Sequence, residues 1–333
     1  MPLIATVAVP TLLADISLQE CMAGLRTQTR HDFEVIVIDN SGQNLVHKLQ
    51  LGDAMVISMP MNVGFGAAIN RAFEQSSAPY LITLNDDAVP RPEWLHALIA
   101  AAESDPHVGM CASQVRLHQD GLDSAGMLIY GDGSSKQRGH LEPAARYCYQ
   151  EEVLLPSASA ALYRRSMLDQ VGAFDEDFFL YCEDTDLGLR ARRAGWRCLY
   201  VPQAVVEHRY SHSAGRVSAL KAYYVERNRI LVAMKNFPFR MLLLMPWRGT
   251  LRYLGHLRAS FGSTGKSARF RQETGGIGAM LGIVLRAHFA VLRAAARIWR
   301  QRTLIRRTAR LSAAEFTRLL ALHSTTASEI ARH

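Results

Sequence analysis

Residues 34–42 read Glu-Val-Ile-Val-Ile-Asp-Asn-Ser-Gly, an apolar run that ends abruptly in polar and turn-forming residues. Three more apolar runs occur early in the chain, at residues 4–9, 54–58 and 80–84, and helical patterns lie between them. Such alternation is typical of βαβ units around a mostly parallel sheet that is buried on both faces. We therefore expect an α/β fold.

The residues that follow these runs are candidates for a binding site, because ligands bind at the carboxyl ends of the strands in such sheets. They are Pro10-Thr11, Asp39-Asn40-Ser41-Gly42 and Asn85-Asp86-Asp87. The pattern predicts that polar groups gather at one edge of the sheet. A glycine-rich stretch, residues 116–152, shows few apolar runs and is interpreted as an excursion or flexible loop.

The composition limits the classes of protein that the chain can belong to. Its 333 residues are 49% hydrophobic, which is enough to form a sizeable core. The five cysteines are scattered and form no CxxC pair, which fits neither a disulfide framework nor a zinc knuckle. The N-terminus resembles no export signal. We expect a cytoplasmic protein.

The charge is divided unevenly along the chain. After Asn236 there are 17 basic and 3 acidic residues, a net charge of +14, whereas the chain up to Asn236 carries −6. Two regions of opposite charge imply two different roles. We therefore expect a catalytic domain over residues 1–236 and a basic, amphipathic, membrane-associated helical region over residues 237–333.

The clearest helix of the basic region is expected at residues 277–299. It contains no run of about 20 uninterrupted apolar residues, the length needed to span a membrane. At about 100° per residue, four arginines fall within about 60° of one another on this helix and form a basic stripe: Arg286, Arg293, Arg297 and Arg300. Two interpretations stay open, a surface helix packed on the domain and an interfacial helix on anionic lipid.

The sequence Asn85-Asp86-Asp87 is a candidate metal site at the end of a strand. Mg²⁺ and Mn²⁺ are held by one or two protein carboxylates together with phosphate oxygens and water. Ordinary turn chemistry explains the same residues, so the motif alone is weak.

A second acidic cluster, Glu183-Asp184-Thr185-Asp186, precedes a predicted helix. Acids at a helix N-terminus are favoured by capping and by the helix dipole whatever their function. The functional interpretation is a general base that accepts a proton from a sugar hydroxyl. Asp184 and Asp186 lie about 200° apart on a helix, so only one of them can face the reacting atoms.

His208 closes the apolar run that begins at Leu199. A lone histidine at such a place is more often structural than a ligand. Combined with the two acidic clusters, it can complete a metal site of oxygen and imidazole ligands.

The sequence Asn62-Val63-Gly64-Phe65-Gly66 looks superficially like a dinucleotide-binding fingerprint. Ile69 occupies the position of the third glycine, and the segment does not follow the first strand. A dehydrogenase is therefore excluded.

Taken together and in this order, these residues resemble the inverting glycosyltransferases of family 2, which have the Rossmann-like GT-A fold, and among them the bacterial rhamnosyltransferases. The resemblance covers residues 3–236. It rests on Val7–Thr11, Val35–Ser41, Asn62–Gly66 with Asn70, Leu84–Asp87, Val171–Glu176, and the stretch from Phe178 through Glu183–Leu187 and Arg190 to Gly195-Trp196, followed by Val201-Pro202 and His208.

The resemblance implies a role for each matching residue. Asp184 would be the catalytic base, while Asp87 and His208 would bind a divalent cation, Mg²⁺ or Mn²⁺. The residues expected to contact the nucleotide are Pro10, Thr11, Asp39, Asn62, Gly64, Asn85 and Asp86, and Glu183 and Trp196 are assigned to the acceptor side. Ala158 stands where relatives usually have glycine. The resemblance therefore does not define the acceptor pocket.

The implied reaction is the transfer of a sugar with inversion from a nucleotide donor to a glycan or lipid-linked acceptor, in the synthesis of bacterial cell-surface polysaccharide. Family likeness favours dTDP-rhamnose, with UDP- and GDP-sugars as alternatives. The basic region suits a peripheral position on the anionic inner face of the cytoplasmic membrane.

Two rival functions remain at this point. A nucleic-acid-binding protein would account for the pI of about 9.4, but the basic region is rich in Leu, Met and Ala rather than in interleaved aromatics. We therefore expect no nucleic-acid partner. The other rival is a nucleotide-sugar-binding protein that has lost catalysis.

Overall fold

The computed structural model describes residues 2–117, 121–208, 219–260 and 276–332. The chain forms two compact units. The sheet unit comprises Met1–Met127 and Gln137–Ser211, and the helical unit comprises Leu128–Lys136 and His212–His333. The units thus divide near residue 211, whereas the sequence suggested a boundary after Asn236.

Among the described residues the chain forms twelve strands, and the first four coincide with the apolar runs of the sequence. They are β1 (Ala5–Thr11), β2 (Phe33–Asp39), β3 (Met55–Ser58), β4 (Tyr80–Leu84), β5 (Ala88–Pro90), β6 (Val108–Leu117), β7 (Leu122–Ser124), β8 (Met127–Ile129), β9 (Ser135–Gln137), β10 (Glu151–Glu152), β11 (Ala160–Arg164) and β12 (Arg197–His208). The glycine-rich stretch, interpreted from sequence as an excursion, contains four of these strands, β7 to β10.

Helices lie between the strands and form most of the C-terminal part. They are α1 (Ile16–Arg26), α2 (Phe65–Gln75), α3 (Trp94–Glu103), α4 (Arg165–Val171), α5 (Glu183–Arg193), α6 (Ala219–Asn236), α7 (Phe239–Ser260), α8 (Gly276–Thr308), α9 (Ala313–Leu322) and α10 (Ala327–Arg332).

The main sheet has the strand order β10-β12-β6-β11-β4-β1-β2-β3. Strands β3, β2, β1 and β4 run parallel, as do β6 and β12, and β11 runs antiparallel between β4 and β6. Buried apolar side chains cover both faces of this sheet, which confirms the α/β class and the mostly parallel sheet.

This topology brings distant segments to one edge of the sheet. Because β11 is antiparallel to both neighbours, β6 and β12 run in the same direction as β4. The carboxyl ends of β1, β2, β4, β6 and β12 therefore share an edge with the amino end of β11. We call it the site edge. The strand order reverses at β1, and in such sheets the crevice at this point is the usual position for a ligand.

The helical unit contains a buried ion-pair network. Arg252 Nε donates to Asp132 Oδ2 at 2.7 Å, and its guanidinium also donates to Glu226 at 2.7 Å. Arg229 pairs with the same two acids. Because every charge in the network has an opposite partner, this cluster serves the packing of the unit and leaves no charge over for a ligand.

Helix α8 packs along α6 and has three distinct sides. Ala287, Val291, Ile298 and Ile305 are buried. Next to this packed side is an exposed apolar strip about 80° wide, calculated at about 100° per residue; it consists of Leu281, Leu285, Phe289, Leu292 and Trp299. The four arginines predicted to form a stripe are all exposed, and they lie beyond that strip.

Helix α7 also exposes large apolar side chains. Phe239, Leu243, Trp247 and Leu254 are 46–66% exposed and lie within about 80° of one another on this helix. One helix among the described residues, Gly278–Thr308, is long and apolar enough to cross a membrane by length and composition. A single helix of this kind is weak evidence for a membrane span.

Candidate active site

Asp87 and His208 meet at the site edge. Asp87 follows β4 and His208 is the last residue of β12, and β5, directly after Asp87, pairs with the end of β12. His208 Nε2 lies 3.1 Å from Asp87 Oδ1, and both side chains are largely buried. The sequence predicted that these two residues act together, and the fold brings them into contact.

Two further residues of this cluster were not anticipated from the sequence. Asp123 on β7 places Oδ2 at 3.2 Å from His208 Nδ1. Its other oxygen, Oδ1, lies 3.3 Å from His140 Nδ1. The four side chains thus form a chain of contacts from Asp87 through His208 and Asp123 to His140.

These contacts determine the charge of the histidine. Burial alone would lower the pKa of His208, but the hydrogen bonds and negative charges of Asp123 and Asp87 outweigh it and raise the pKa to about 10. Burial likewise opposes the charge of Asp123, yet the two histidines lower its pKa overall. Without another cation, His208 therefore carries a positive charge that offsets part of the negative charge of Asp87 and Asp123.

The donor atoms fit a divalent cation. A carboxylate oxygen and an imidazole nitrogen are both ligands for Mn²⁺, and Mg²⁺ or Mn²⁺ sites are completed by phosphate oxygens and water. Within the part of the chain that the structure describes, no group of three or more His, Cys, Asp or Glu side chains forms a ready-made metal cage.

Asp184 lies in the first turn of α5, next to the loop before β11. Its Oδ2 accepts a hydrogen bond from the Ala158 N–H at 3.2 Å, and its Oδ1 accepts one from the Thr185 N–H at 2.6 Å. Burial raises the pKa of Asp184, although these hydrogen bonds oppose the shift. A carboxylate with a raised pKa is a better proton acceptor near neutral pH.

The loop before β11 connects the two parts of the site. The Asn85 N–H donates to the Ser159 carbonyl at 2.8 Å, and the neighbouring Ala158 N–H donates to Asp184. Asp87 stands two residues after Asn85. A short hydrogen-bonded path therefore joins the metal-binding candidate to the candidate base.

Glu183, beside Asp184, is buried. Burial raises its pKa, and the charge of Asp184 adds to the shift. Among the described residues its Oε2 has no hydrogen-bond partner, nor does the buried Tyr163 hydroxyl. Glu183 is therefore favoured in its neutral form, which leaves the negative charge of the pair on Asp184.

The segment before α5 is held in an unusual conformation. Phe179, Tyr181 and Cys182 have left-handed φ angles of 63°, 69° and 68°. Such strain in non-glycine residues is typical of functional sites. The Phe65 N–H donates to the Phe179 carbonyl at 2.8 Å, and a Cβ at Gly64 would approach that oxygen to 2.2 Å. Gly64 is thus required for this loop to contact the segment that precedes Asp184.

The remaining nucleotide-site candidates also lie at the site edge, and their contacts differ. Asp39 uses its Oδ1 to accept from Ser41 and its Oδ2 to accept from Val46, so its carboxylate orders its own loop and its pKa is lowered. Asn62 accepts from the Gly64 N–H at 2.9 Å. These residues shape the crevice through their loops.

At the other side of the crevice, Thr11 ends β1 and lies close to Asp86, which follows β4. Burial raises the pKa of Asp86 to about 6. Pro10 precedes Thr11 on β1 and is partly exposed. The contact between Thr11 and Asp86 joins the two strands that flank the crevice.

Trp196 is separated from this cluster. It follows the C-terminal end of α5, whereas Asp184 lies at the N-terminal end, about 16 Å along an 11-residue helix. It also precedes the first residue of β12, whose last residue is His208. Its indole N–H donates to Gln170 at 2.8 Å. The structure does not bring Trp196 to the site edge.

The fold and site define a glycosyltransferase of the GT-A class, and comparison with known proteins agrees. The model of the family "Glycosyl transferase family 2" matches residues 6–172, half of the chain. The chain is 30% identical over 270 residues to N-acetylglucosaminyl-diphospho-decaprenol L-rhamnosyltransferase of Mycobacterium tuberculosis, covering 72% of this chain and 88% of the relative. The chain belongs to glycosyl transferase family 2.

Solved structures share the fold at low sequence identity. GalNAc-T7, in a structure with UDP, GalNAc and Mn²⁺, aligns with a TM-score of 0.60 at 14% identity, over 82% of this chain and 54% of that one. The mannosyltransferase PcManGT from Pyrobaculum calidifontis, in complex with GDP-Man and Mn²⁺, aligns with a TM-score of 0.53 at 14% identity, over 92% and 86%. The chain thus spans about half the length of GalNAc-T7.

Proposed function

We propose that this glycosyltransferase moves a sugar from a nucleoside-diphosphate donor to a lipid-linked or glycan acceptor with inversion, and that it requires a divalent cation held by Asp87 and His208. The observation that carries the proposal is the convergence of Asp87, His208 and Asp184 at one sheet edge, joined through the loop before β11. A metal-binding pair beside a carboxylate base is what an inverting transfer from a diphosphate needs.

Each side chain has a defined task in this mechanism. When bound, the cation would neutralise charge on the departing diphosphate. Asp184 accepts the proton of the acceptor hydroxyl as that oxygen attacks the sugar carbon. Glu183 stays neutral beside it, so the acceptor meets one negative charge. The donor nucleotide lies in the crevice formed by Thr11, Asp86 and the loops at Asp39 and Asn62–Gly64.

The donor that we propose is dTDP-rhamnose, with UDP- and GDP-sugars as the alternatives. The support is the M. tuberculosis relative, which is named for transferring L-rhamnose and matches 72% of the chain. The same name specifies a decaprenol-linked acceptor, which supports a lipid-linked acceptor for this chain as well. A rhamnose donor together with a lipid-linked acceptor supports a role in bacterial cell-surface polysaccharide synthesis.

We further propose that the helical unit associates peripherally with the anionic inner face of the cytoplasmic membrane. The apolar strips of α7 and α8 are exposed, and the arginine stripe borders the strip of α8. A helix with an apolar strip beside basic residues lies in the membrane interface with the arginines at the level of the lipid phosphates. This position would bring the enzyme to an acceptor on a lipid carrier.

To test the reaction, the full chain is incubated with a polyprenyl-diphosphate-linked acceptor and one of three donors: dTDP-rhamnose, a UDP-sugar or a GDP-sugar. Each donor is assayed once in the presence of Mn²⁺ and once in excess EDTA. We expect product from one donor only, with Mn²⁺ only, and with inverted configuration at the transferred sugar. Equal turnover in EDTA would contradict the metal role. Protection from thermal unfolding by a donor without any turnover would favour the inactive binding protein instead.

A further inference from the structure

We infer that Asp123, supported by His140, positions the His208 imidazole so that its Nε2 faces the cation. The inference rests on the proposed metal role of Asp87 and His208. It assigns a function to two residues of the glycine-rich excursion, which the sequence presents as a loop.

The argument begins with the two nitrogens of the imidazole ring. Nε2 faces Asp87, and Nδ1 faces Asp123 at 3.2 Å. A neutral histidine binds a metal through one ring nitrogen while the other keeps its proton and donates it to an acceptor. For His208 to bind through Nε2, the proton must therefore stay on Nδ1. Asp123 Oδ2, at 3.2 Å, is the carboxylate oxygen that faces this N–H.

Asp123 is itself held firmly in place. It lies on β7, which pairs with the end of β6, and its side chain is only 7% exposed. His140 contacts both the Asp123 carboxylate and its carbonyl, at 3.3 Å and 3.2 Å. A bridge between Leu122 and His140 fixes the backbone on both sides of the contact. The carboxylate therefore has little freedom to turn away from His208.

The carboxylate also changes the strength of the ligand. A negative charge on the far side of an imidazole raises the basicity of the nitrogen that binds the metal, and such partners typically contribute about 10- to 100-fold in metal affinity. Asp123 is thus a positioning residue, because it acts on the cation through His208.

The test measures Mn²⁺ binding to the full-length protein in the presence of dTDP, by the EPR signal of free Mn²⁺. Pulsed EPR of the bound ion reports whether an imidazole nitrogen coordinates it. We expect Asp123→Ala to weaken Mn²⁺ binding by about 10- to 100-fold and to reduce the nitrogen coupling. Asp123→Asn should have an intermediate effect, since its amide oxygen still accepts from Nδ1–H but carries no charge.

Two other variants make the result specific. Asp105→Asn is the matched control, because Asp105 precedes β6 at the opposite edge of the sheet, and it should bind Mn²⁺ like the unsubstituted protein. His208→Ala should lose the nitrogen coupling altogether. Thermal unfolding of each variant shows whether a change in metal binding is simply a loss of folded protein.

The outcomes distinguish a failure of this inference from a failure of the proposed metal role of Asp87 and His208. If His208→Ala loses Mn²⁺ but Asp123→Ala binds it with full affinity and full nitrogen coupling, Asp123 has no positioning role and the inference alone is overturned. If the unsubstituted protein shows no nitrogen coupling to Mn²⁺, His208 is not a ligand, and the metal assignment fails together with the inference.

Discussion

Arginines in the two units are used differently. In the sheet unit, Arg190 is buried on α5, donates to Asp186 at 2.8 Å, and donates to the carbonyls of Val171, Gly172 and Ala173. In the helical unit, Arg286, Arg293, Arg297 and Arg300 point outward from α8 beside an exposed apolar strip. The first arginine stabilises the fold, whereas the second set places positive charge on the exposed surface of the helix.

Charged residues on a single helix can also differ in role according to their burial and their partners. Asp184 and Asp186 are two residues apart on α5, but Asp186 is fully buried against Arg190 and Asp184 is partly exposed at the site edge. A buried carboxylate with an arginine partner contributes to stability, and one without a cationic partner at a site edge is available for chemistry. The following variants test this distinction.

The largest effect is expected for Asp184→Asn. The amide cannot accept the acceptor's proton, so turnover should fall by about 10²- to 10⁴-fold. Its shape is retained, and removing a buried charge beside Glu183 should leave the melting temperature unchanged or slightly higher. Turnover, donor affinity and thermal unfolding would be measured together. Retained turnover in this variant would remove Asp184 from the mechanism.

The arginine stripe should determine membrane binding. Changing all four stripe arginines to Gln should weaken binding to vesicles of anionic lipid by up to about 10³-fold, at about 1 kcal/mol per arginine. The matched control changes the same four residues to Lys, which keeps the charge and should keep most of the binding. Sedimentation with anionic and neutral vesicles provides the measurement.

The same experiment distinguishes a peripheral helix from a spanning one. A peripheral protein should leave the membrane on washing with high salt or carbonate, because salt screens its attraction to the lipid. Binding that is unchanged in the Gln variant and that resists both washes would mean that α8 spans the membrane.

Asp186→Asn should act on stability rather than on chemistry. The sequence placed Asp186 on a different side of the helix from Asp184, and the structure shows that Asp186 forms a buried ion pair with Arg190, which this variant breaks. We expect a loss of about 3 kcal/mol in the free energy of unfolding, because Arg190 keeps its charge. Turnover per folded molecule should stay close to that of the unsubstituted protein. A dead but fully stable Asp186→Asn enzyme would exchange the roles of the two acids.

A gain in stability that depends on pH, with no loss of fold, is expected for Glu183→Gln. The raised pKa of Glu183 means that the folded protein holds a proton that the unfolded chain releases above about pH 4.5. Folding stability therefore falls as pH rises from that value to the raised pKa, by up to about 1.4 kcal/mol per pH unit. The Gln variant lacks this loss, so its advantage in melting temperature should grow over that range. An advantage that is constant with pH would mean that Glu183 is ionised in the fold.

The candidate site residues that could be predicted from the sequence are those that lie at the end of an apolar run. Asp39, Asp87 and His208 each follow or close an apolar run, and parallel strands bring such ends to one edge. The order of those strands placed Asp87 beside His208, although 121 residues separate them. The acidic start of α5 marked Asp184 in the same way.

The residues that sequence reasoning missed lie where no periodicity exists. Asp123 and His140 belong to short strands and turns of the glycine-rich excursion, whose pairing depends on tertiary contacts. An acid and a histidine between turn residues are the only signal there, and that signal is common. Trp196, which the resemblance assigns to the acceptor side, lies beyond the C-terminal end of α5, whereas Asp184 lies at its N-terminal end.

The close approach of Gly64 to Phe179 has a consequence for how variants of this enzyme should be interpreted. Any side chain at position 64 would displace the strained segment that leads into Asp184. A substitution in the loop assigned to the nucleotide would then appear in kinetics as a defect of the base. The contact between Gly64 and Phe179 thus couples the loop at Asn62–Gly64 to the segment before Asp184. A substitution in either of these segments can change the position of the other.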